Sequence, residues 1–179
     1  MQDVIQPWEE LSREEVFRKY GRGIERRTYR LPNGTETDFY LSTGNDPVCC
    51  LALTESKKVV LVRQFRPGPG EVLLEMPGGG VADGESCEEG MVRELLEETG
   101  YRGVVEFVGE VFPSAYSTYR KRVFVATDCV KVADPKPEDN GEELEVVLMS
   151  IPEFREHLRS GRLTDVEMGY LALDFLGLL

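Results

Sequence analysis

The chain has 179 residues, with 33 acidic side chains against 21 basic ones and a formal charge of −12, a balance that disfavours a nucleic-acid or anionic-membrane surface. No apolar run approaches the roughly 20 residues of a membrane span, and the start, MQDVIQPWEE, has neither a basic nor an apolar leader segment. The expectation is a cytoplasmic protein with one well-cored domain, or a domain plus a short arm.

Residues 8–20 set Trp8, Leu11, Val16 and Phe17 among charges and predict a short helical or irregular arm. From Ile24 to Leu41 two alternating segments flank Pro32-Asn33-Gly34, the strongest short hairpin signal. Val48 to Leu53 and Val59 to Arg66 are β-branched apolar runs, which predict paired central strands covered on both faces. The second run ends Arg63-Gln64-Phe65-Arg66, and Pro67-Gly68-Pro69-Gly70 then breaks the chain before Val72-Leu73-Leu74-Glu75-Met76-Pro77. Arginine's planar fork suits phosphate, so Arg63 and Arg66 are candidates to grip a diphosphate, or else plain surface charges.

Ser86 to Thr99 carries a helix's punctuation: Ser86 and Glu89 spell a capping box, and Gly100 sits where a left-handed C-terminal cap belongs. At about 100° per residue, Met91, Val92, Leu95, Leu96 and Thr99 share one arc, with Glu94, Glu97 and Glu98 opposite. Like charges one turn apart destabilise a helix by about 0.2–0.5 kcal/mol per pair, so the acidic face is either merely solvated or compensated by a cation. Hard divalent ions take carboxylate oxygens, and Mg²⁺ favours a few carboxylates plus water and substrate phosphate. Gly90, on the acidic side one turn before Glu94, would leave room for an ion.

Further on, Val104 to Phe112 and Arg122 to Cys129 predict strands, with a loop containing Ser114 between them. Residues 132–141 read as an acidic loop, and Leu144 to Ile151 as the last strand. Pro152 opens a helix, and Thr164 with Glu167 spells a capping box for a final helix through about Leu176. Cys49, Cys50, Cys87 and Cys129 lack metal-type spacing and read as reduced packing residues; the single histidine, His157, reads as structural.

Gly79, Glu85 and Arg93-Glu94-Leu95-Leu96-Glu97-Glu98-Thr99-Gly100 stand at the spacing G-x5-E-x7-R-E-U-x-E-E-x-G-U, with U apolar. This resembles the signature of the Nudix hydrolases, with Tyr101 at the final, usually aliphatic, position. The order RQFR, gap, EMPGG resembles the ADP-ribose and nucleoside-diphosphate-sugar pyrophosphatase branch. The resemblance implies an α+β fold, an α/β/α sandwich around a mixed sheet over residues 46–179. It also implies an N-terminal hairpin extension over 1–45 that pairs two chains into a homodimer.

It further implies hydrolysis of a nucleoside diphosphate linked to a sugar, giving a nucleoside monophosphate and a sugar phosphate. Mg²⁺, with Mn²⁺ as a substitute, would be held by Glu94, Glu97, Glu98 and the Gly79 carbonyl. Glu85 would pair with Arg93 as a brace. Arg63, Arg66, Glu75, Ser114 and Trp8 would meet the substrate, although Trp8 suits a plain core equally. The attacking water's base would be Glu142 or Glu143, before Leu144, or Glu98 on the helix. Rival readings are hydrolysis of GDP-mannose or a dinucleoside polyphosphate, and a catalytically silent nucleotide sensor.

Overall fold

The computed structural model describes residues 5–136 and 143–179. The chain divides into two compact units, residues 1–45 with 112–120, and residues 46–111 with 121–179. The segment 112–120, which the sequence places in the second domain, clusters with the first unit. There Ser42 N donates to Tyr116 O at 2.8 Å and Thr118 N donates to Ser42 O at 2.9 Å.

The first unit is a three-stranded antiparallel sheet of β1 (Glu9–Lys19), β2 (Arg22–Arg30) and β3 (Glu36–Gly44). The β2–β3 hairpin is the expected one, with Gly34 at φ 83° and Asn33 Oδ1 accepting from Thr35 N. The helical or irregular arm is not found: residues 9–19 form a strand. Its charges answer partners across the sheet, Glu9 with Arg30 and Glu14 with Arg26, each at 2.6 Å. Tyr20 and Gly21, at φ 50° and 72°, supply the left-handed pair that a two-residue hairpin turn requires. Two bulges interrupt its pairing with β2, which blurs any alternating apolar pattern in the sequence.

The second unit is built on a mixed sheet ordered β10-β5-β4-β9-β8. β4 (Val48–Thr54) and β5 (Lys58–Arg66) pair antiparallel near their shared turn, through Ala52–Val60 and Leu53–Val59. They then diverge, and the fork is filled by β6 (Glu71–Glu75) against β5 and by β7 (Gly78–Gly79) against β4. β4 also runs parallel to β9 (Lys121–Lys131), which pairs antiparallel with β8 (Tyr101–Val111). β10 (Glu145–Ser150) flanks β5.

All seven residues of β4 are buried, as its continuous apolar run requires. Cys49, Leu51 and Leu53 face one core, shared with Phe154 and Leu158 of α2 (Ile151–Ser160) and Met168, Ala172 and Leu173 of α3 (Val166–Phe175). Cys50 and Ala52 face the other, with Met91 and Leu95 of α1 (Cys87–Thr99). One helix on one face and two on the other make an α/β/α sandwich.

The helix ends are mostly as the sequence dictates. Ser86 caps α1 in a complete capping box with Glu89, and Gly100 closes it at φ 73°. Ser150 and Glu153 form a second box at α2. The box expected at Thr164 and Glu167 is absent: Asp165 is the N-cap of α3 and makes no side-chain cap bond, because Thr164 Oγ1 is turned to Glu75 and Glu167 to Lys121. The apolar arc of α1 is narrower than expected too, with Val92 exposed and Leu96 half-buried. His157 Nε2 meets the Leu74 carbonyl at 2.7 Å, a structural tie. Among the described residues no helix is long and apolar enough to cross a membrane.

Candidate active site

The fork between β4 and β5 sets β7 beside α1. Gly78 N donates to Glu98 Oε2 at 2.8 Å, so the last carboxylate of the helix is tied to the strand backbone. A Cβ on Gly79 would lie 2.5 Å from Glu94 Oε1, so the glycine is what lets that carboxylate lie against β7. At Gly78 a Cβ would strike the Val48 carbonyl and the Cys49 backbone instead, a clash with β4 that no side-chain movement relieves.

Arg93 is the hub. Its Nε and Nη2 donate to Glu85 Oε1 and Oε2 at 3.0 and 3.1 Å, a two-point grip on the loop before α1. Nη1 donates to Glu94 Oε1 at 3.0 Å and Glu97 Oε2 at 2.9 Å, and Nη2 also reaches the Gly80 carbonyl at 2.8 Å. These carboxylates hold the guanidinium protonated, Glu85 most strongly, against the opposing effect of burial. Arg93 in turn keeps the Glu85 carboxyl below its ordinary value, aided by the Ala82 N–H. Gly90 has a different use from the one expected: a Cβ there would lie 3.1 Å from Glu85 Oε2 and 3.2 Å from Val81 Cγ2, so its bareness makes room for the loop rather than for an ion.

With Arg93 inserted between Glu94 and Glu97, no group of three or more His, Cys, Asp or Glu side chains is gathered to hold a metal among the described residues. The donor set is oxygen-only, and the bare Cα of Gly79 lets the Glu94 carboxylate lie against β7. That chemistry fits a hard divalent cation once Glu94 and Glu97 turn from Arg93.

The remaining candidates fall elsewhere. Arg66 Nε donates to Glu75 Oε2, and Glu75 is 0% exposed at the end of β6. Expected at the substrate, Glu75 is walled off from solvent and holds Arg66. Arg63 is exposed and ion-paired with Glu145 at 2.6 Å. Glu143 is exposed two residues before β10; Glu142 lies outside the described residues.

Trp8 and Ser114 belong to the other unit. Trp8 is 45% exposed and packs on Phe39 and Tyr29, with ring centroids 5.5 and 6.2 Å apart, so it is partly core and partly available. Ser114 Oγ lies 2.9 Å from Ser117 Oγ and accepts from Tyr116 N within its loop. Three contributors escaped sequence reasoning: the Gly78 amide, the Gly80 carbonyl and Thr164. The first two act through backbone, where the only signal is the run Gly78-Gly79-Gly80.

Comparison with known proteins points the same way as the geometry. The ADP-ribose pyrophosphatase of Bacillus subtilis (strain 168) is 25% identical over 170 residues, spanning 94% of this chain and 91% of its own. The ADP-sugar pyrophosphatase of Mus musculus is 41% identical over 98 residues, 50% of this chain and 44% of its own. A solved structure described as an ADP compounds hydrolase superposes with a TM-score of 0.79 over 98% of both chains at 21% identity, a likeness of fold. A family model of the NUDIX domain matches residues 45–167, which take in the helix, its acidic face, Gly79 and the Arg66–Glu75 pair, and the chain therefore belongs to the Nudix family.

Proposed function

We propose that this Nudix hydrolase is an Mg²⁺-dependent pyrophosphatase. It cleaves ADP-ribose or a related nucleotide sugar to a nucleoside monophosphate and a sugar phosphate. The observation that carries the reading is the carboxylate cluster of α1 laid against Gly78 and Gly79 and braced by Arg93. Relatives named for ADP-ribose and ADP-sugar support the substrate class.

Glu94, Glu97 and Glu98, with the Gly79 carbonyl, would hold the ions. Bound there, a divalent cation would offset phosphate charge and lower the pKa of an attacking water. The chain's own residues do the rest. Glu85 and Arg93 keep the loop before α1 closed on the helix, so the carboxylates stay on one side. Arg66, and Arg63 once it leaves Glu145, supply donors for the diphosphate.

A carboxylate already on a metal makes a poor base, so the proton of the water goes to Glu142 or Glu143. Trp8 offers a half-exposed ring for a nucleobase, and Ser114 a hydroxyl. The protein is cytoplasmic and works as a homodimer joined through the β1–β3 sheet, whose exposed Val16, Phe17 and Tyr40 suit a second copy.

The deciding experiment is a hydrolysis screen with Mg²⁺ of ADP-ribose, ADP-glucose, GDP-mannose, NADH and diadenosine polyphosphates, with products identified by mass. AMP and ribose 5-phosphate from ADP-ribose, at the highest kcat/KM of the set, is the expected result. Faster cleavage of GDP-mannose or of a dinucleoside polyphosphate would reassign the substrate, and no turnover on any of them would favour a sensor. Light scattering that finds an active monomer at assay concentration would remove the dimer.

A further inference from the structure

We propose that Thr164, on the loop between α2 and α3, is a positioning residue. Through the buried carboxylate of Glu75 it fixes the direction in which Arg66 reaches for an anionic substrate. The inference rests on the reading of Arg66 as a substrate ligand and adds the part of the fold that aims it.

A carboxylate with no exposure must find donors inside the protein. Glu75 divides its two oxygens. Oε2 accepts from Arg66 Nε. Oε1 accepts from Thr164 N at 3.0 Å and also from Thr164 Oγ1. The Thr164 donors hold the carboxylate plane at one edge, and that plane decides where the guanidinium at the other edge lies.

Arg66 is the last residue of β5 and half-buried. Among the described residues its Nη1 and Nη2 meet no hydrogen-bond acceptor. The fork is therefore gripped by its stem nitrogen, with both terminal amino groups left for an anion, the part of the guanidinium that recognises phosphate in pairs.

The loop that presents Thr164 is itself clamped. Lys121 Nζ donates to the Thr164 carbonyl at 3.2 Å, to Asp165 Oδ1 at 2.8 Å and to Glu167 Oε1 at 2.9 Å. Burial works to lower the Lys121 pKa, but Asp165 and Glu167 outweigh it and raise it to about 12, so the clamp is charged throughout the neutral range. A threonine needed only to cap α3 would turn its hydroxyl to the helix. This one turns to a residue 89 positions earlier.

The test uses the full chain and ADP-ribose with saturating Mg²⁺, and compares Thr164→Val, Thr164→Ser, Arg66→Ala and the Arg66→Ala/Thr164→Val pair. Arg66→Ala is expected to raise KM about tenfold or more. Thr164→Val, which keeps the shape and the backbone donor, is expected to raise KM roughly three- to tenfold, the range of one ordinary hydrogen bond because the loss reaches the substrate only through Arg66, with kcat within about twofold. Thr164→Ser should restore it. In the Arg66→Ala background Thr164→Val should add nothing, because two residues acting through one contact are not additive.

Should Thr164→Val fail to fold, Lys121→Gln, which loosens the same loop, is expected to raise KM only while Arg66 is present. An unchanged KM in folded Thr164→Val, or an equal rise in both backgrounds, overturns the positioning role while leaving Arg66 as a ligand. A wild-type protein that does not bind ADP-ribose, or an Arg66→Ala variant of normal KM, overturns the reading of Arg66 and this inference with it.

Discussion

Two arginines organise the second unit, and they differ in what surrounds them. Arg93 is shared by Glu85, Glu94 and Glu97, with Glu98 alongside on the same helix: four carboxylates to one guanidinium. Among the described residues Arg66 has a single carboxylate, and that one is fully buried and met by two donors of Thr164. The first centre is left with surplus negative charge at the surface of α1, where a cation is the natural complement. The second is balanced within and leaves two guanidinium amino groups that meet no acceptor among the described residues, for which an anion is the complement. A metal–diphosphate substrate carries both kinds of charge.

The largest expected effect breaks the first centre. Glu98→Gln keeps the shape and removes the charge, and turnover should fall by at least about a hundredfold at saturating Mg²⁺. Unchanged turnover would remove Glu98 from the metal site and from the base role.

Neighbouring glycines sharpen the point. In Gly79→Ala the new Cβ meets the tip of a flexible side chain, so Glu94 should swing away. Activity should drop roughly tenfold or more, by loss of one ion ligand, while the melting temperature moves little. Gly78→Ala meets backbone and should instead yield little folded protein. Thermal melts beside turnover separate the two, and equal melting temperatures would mean that the fork between β4 and β5 has room for a Cβ at position 78.

How legible was this in the sequence? The punctuation of α1 was, since Ser86, Glu89 and Gly100 act on backbone within a turn of themselves. Strand β1 was not, because its partners are on another strand: residues 8–20 suggest a helical or irregular arm until Arg30 and Arg26 stand opposite Glu9 and Glu14. Thr164 was misread for the same reason, a local capping pattern losing to a long-range buried carboxylate. Glu75 is placed at the substrate only by the likeness of RQFR and EMPGG to a known branch; its burial is a property of the fold, not of the string.

A smaller effect tests the brace. Glu85→Gln should leave Mg²⁺ affinity near normal and lower the melting temperature, because its partner is Arg93 rather than an ion. Lost Mg²⁺ affinity at an unchanged melting temperature would contradict that division.

The smallest effect is a pH dependence. Glu85, Glu89 and Glu153 all titrate below their ordinary value of 4.5, the first through Arg93, the second through the Ser86 amide and hydroxyl, the third through the Ser150 hydroxyl and amide. A lowered folded-state pKa means that the stabilisation is complete above the unfolded value and is lost as pH falls through the folded one. Melting temperature should therefore hold down to about pH 5 and decline below it. Glu85→Gln should decline less steeply than the wild type. An identical decline would show that the Glu85–Arg93 pair contributes nothing to acid stability.

The parallel pairing of β4 with β9 has a bearing on how the chain comes to be folded. Val48 is matched with Arg122 and Cys49 with Val123 across an intervening hairpin, helix and strand. Closing so long a loop must precede any gain from the contact, which makes such pairings slow. On a ribosome the most buried strand of the protein emerges early and waits for a neighbour synthesised much later. In that interval the run Val48–Thr54, apolar on both faces, has β5, β7 and α1 to cover it, while the edge that β9 takes stays open. Chaperone dependence and aggregation during expression should accordingly track changes in β9 more closely than changes in the catalytic helix.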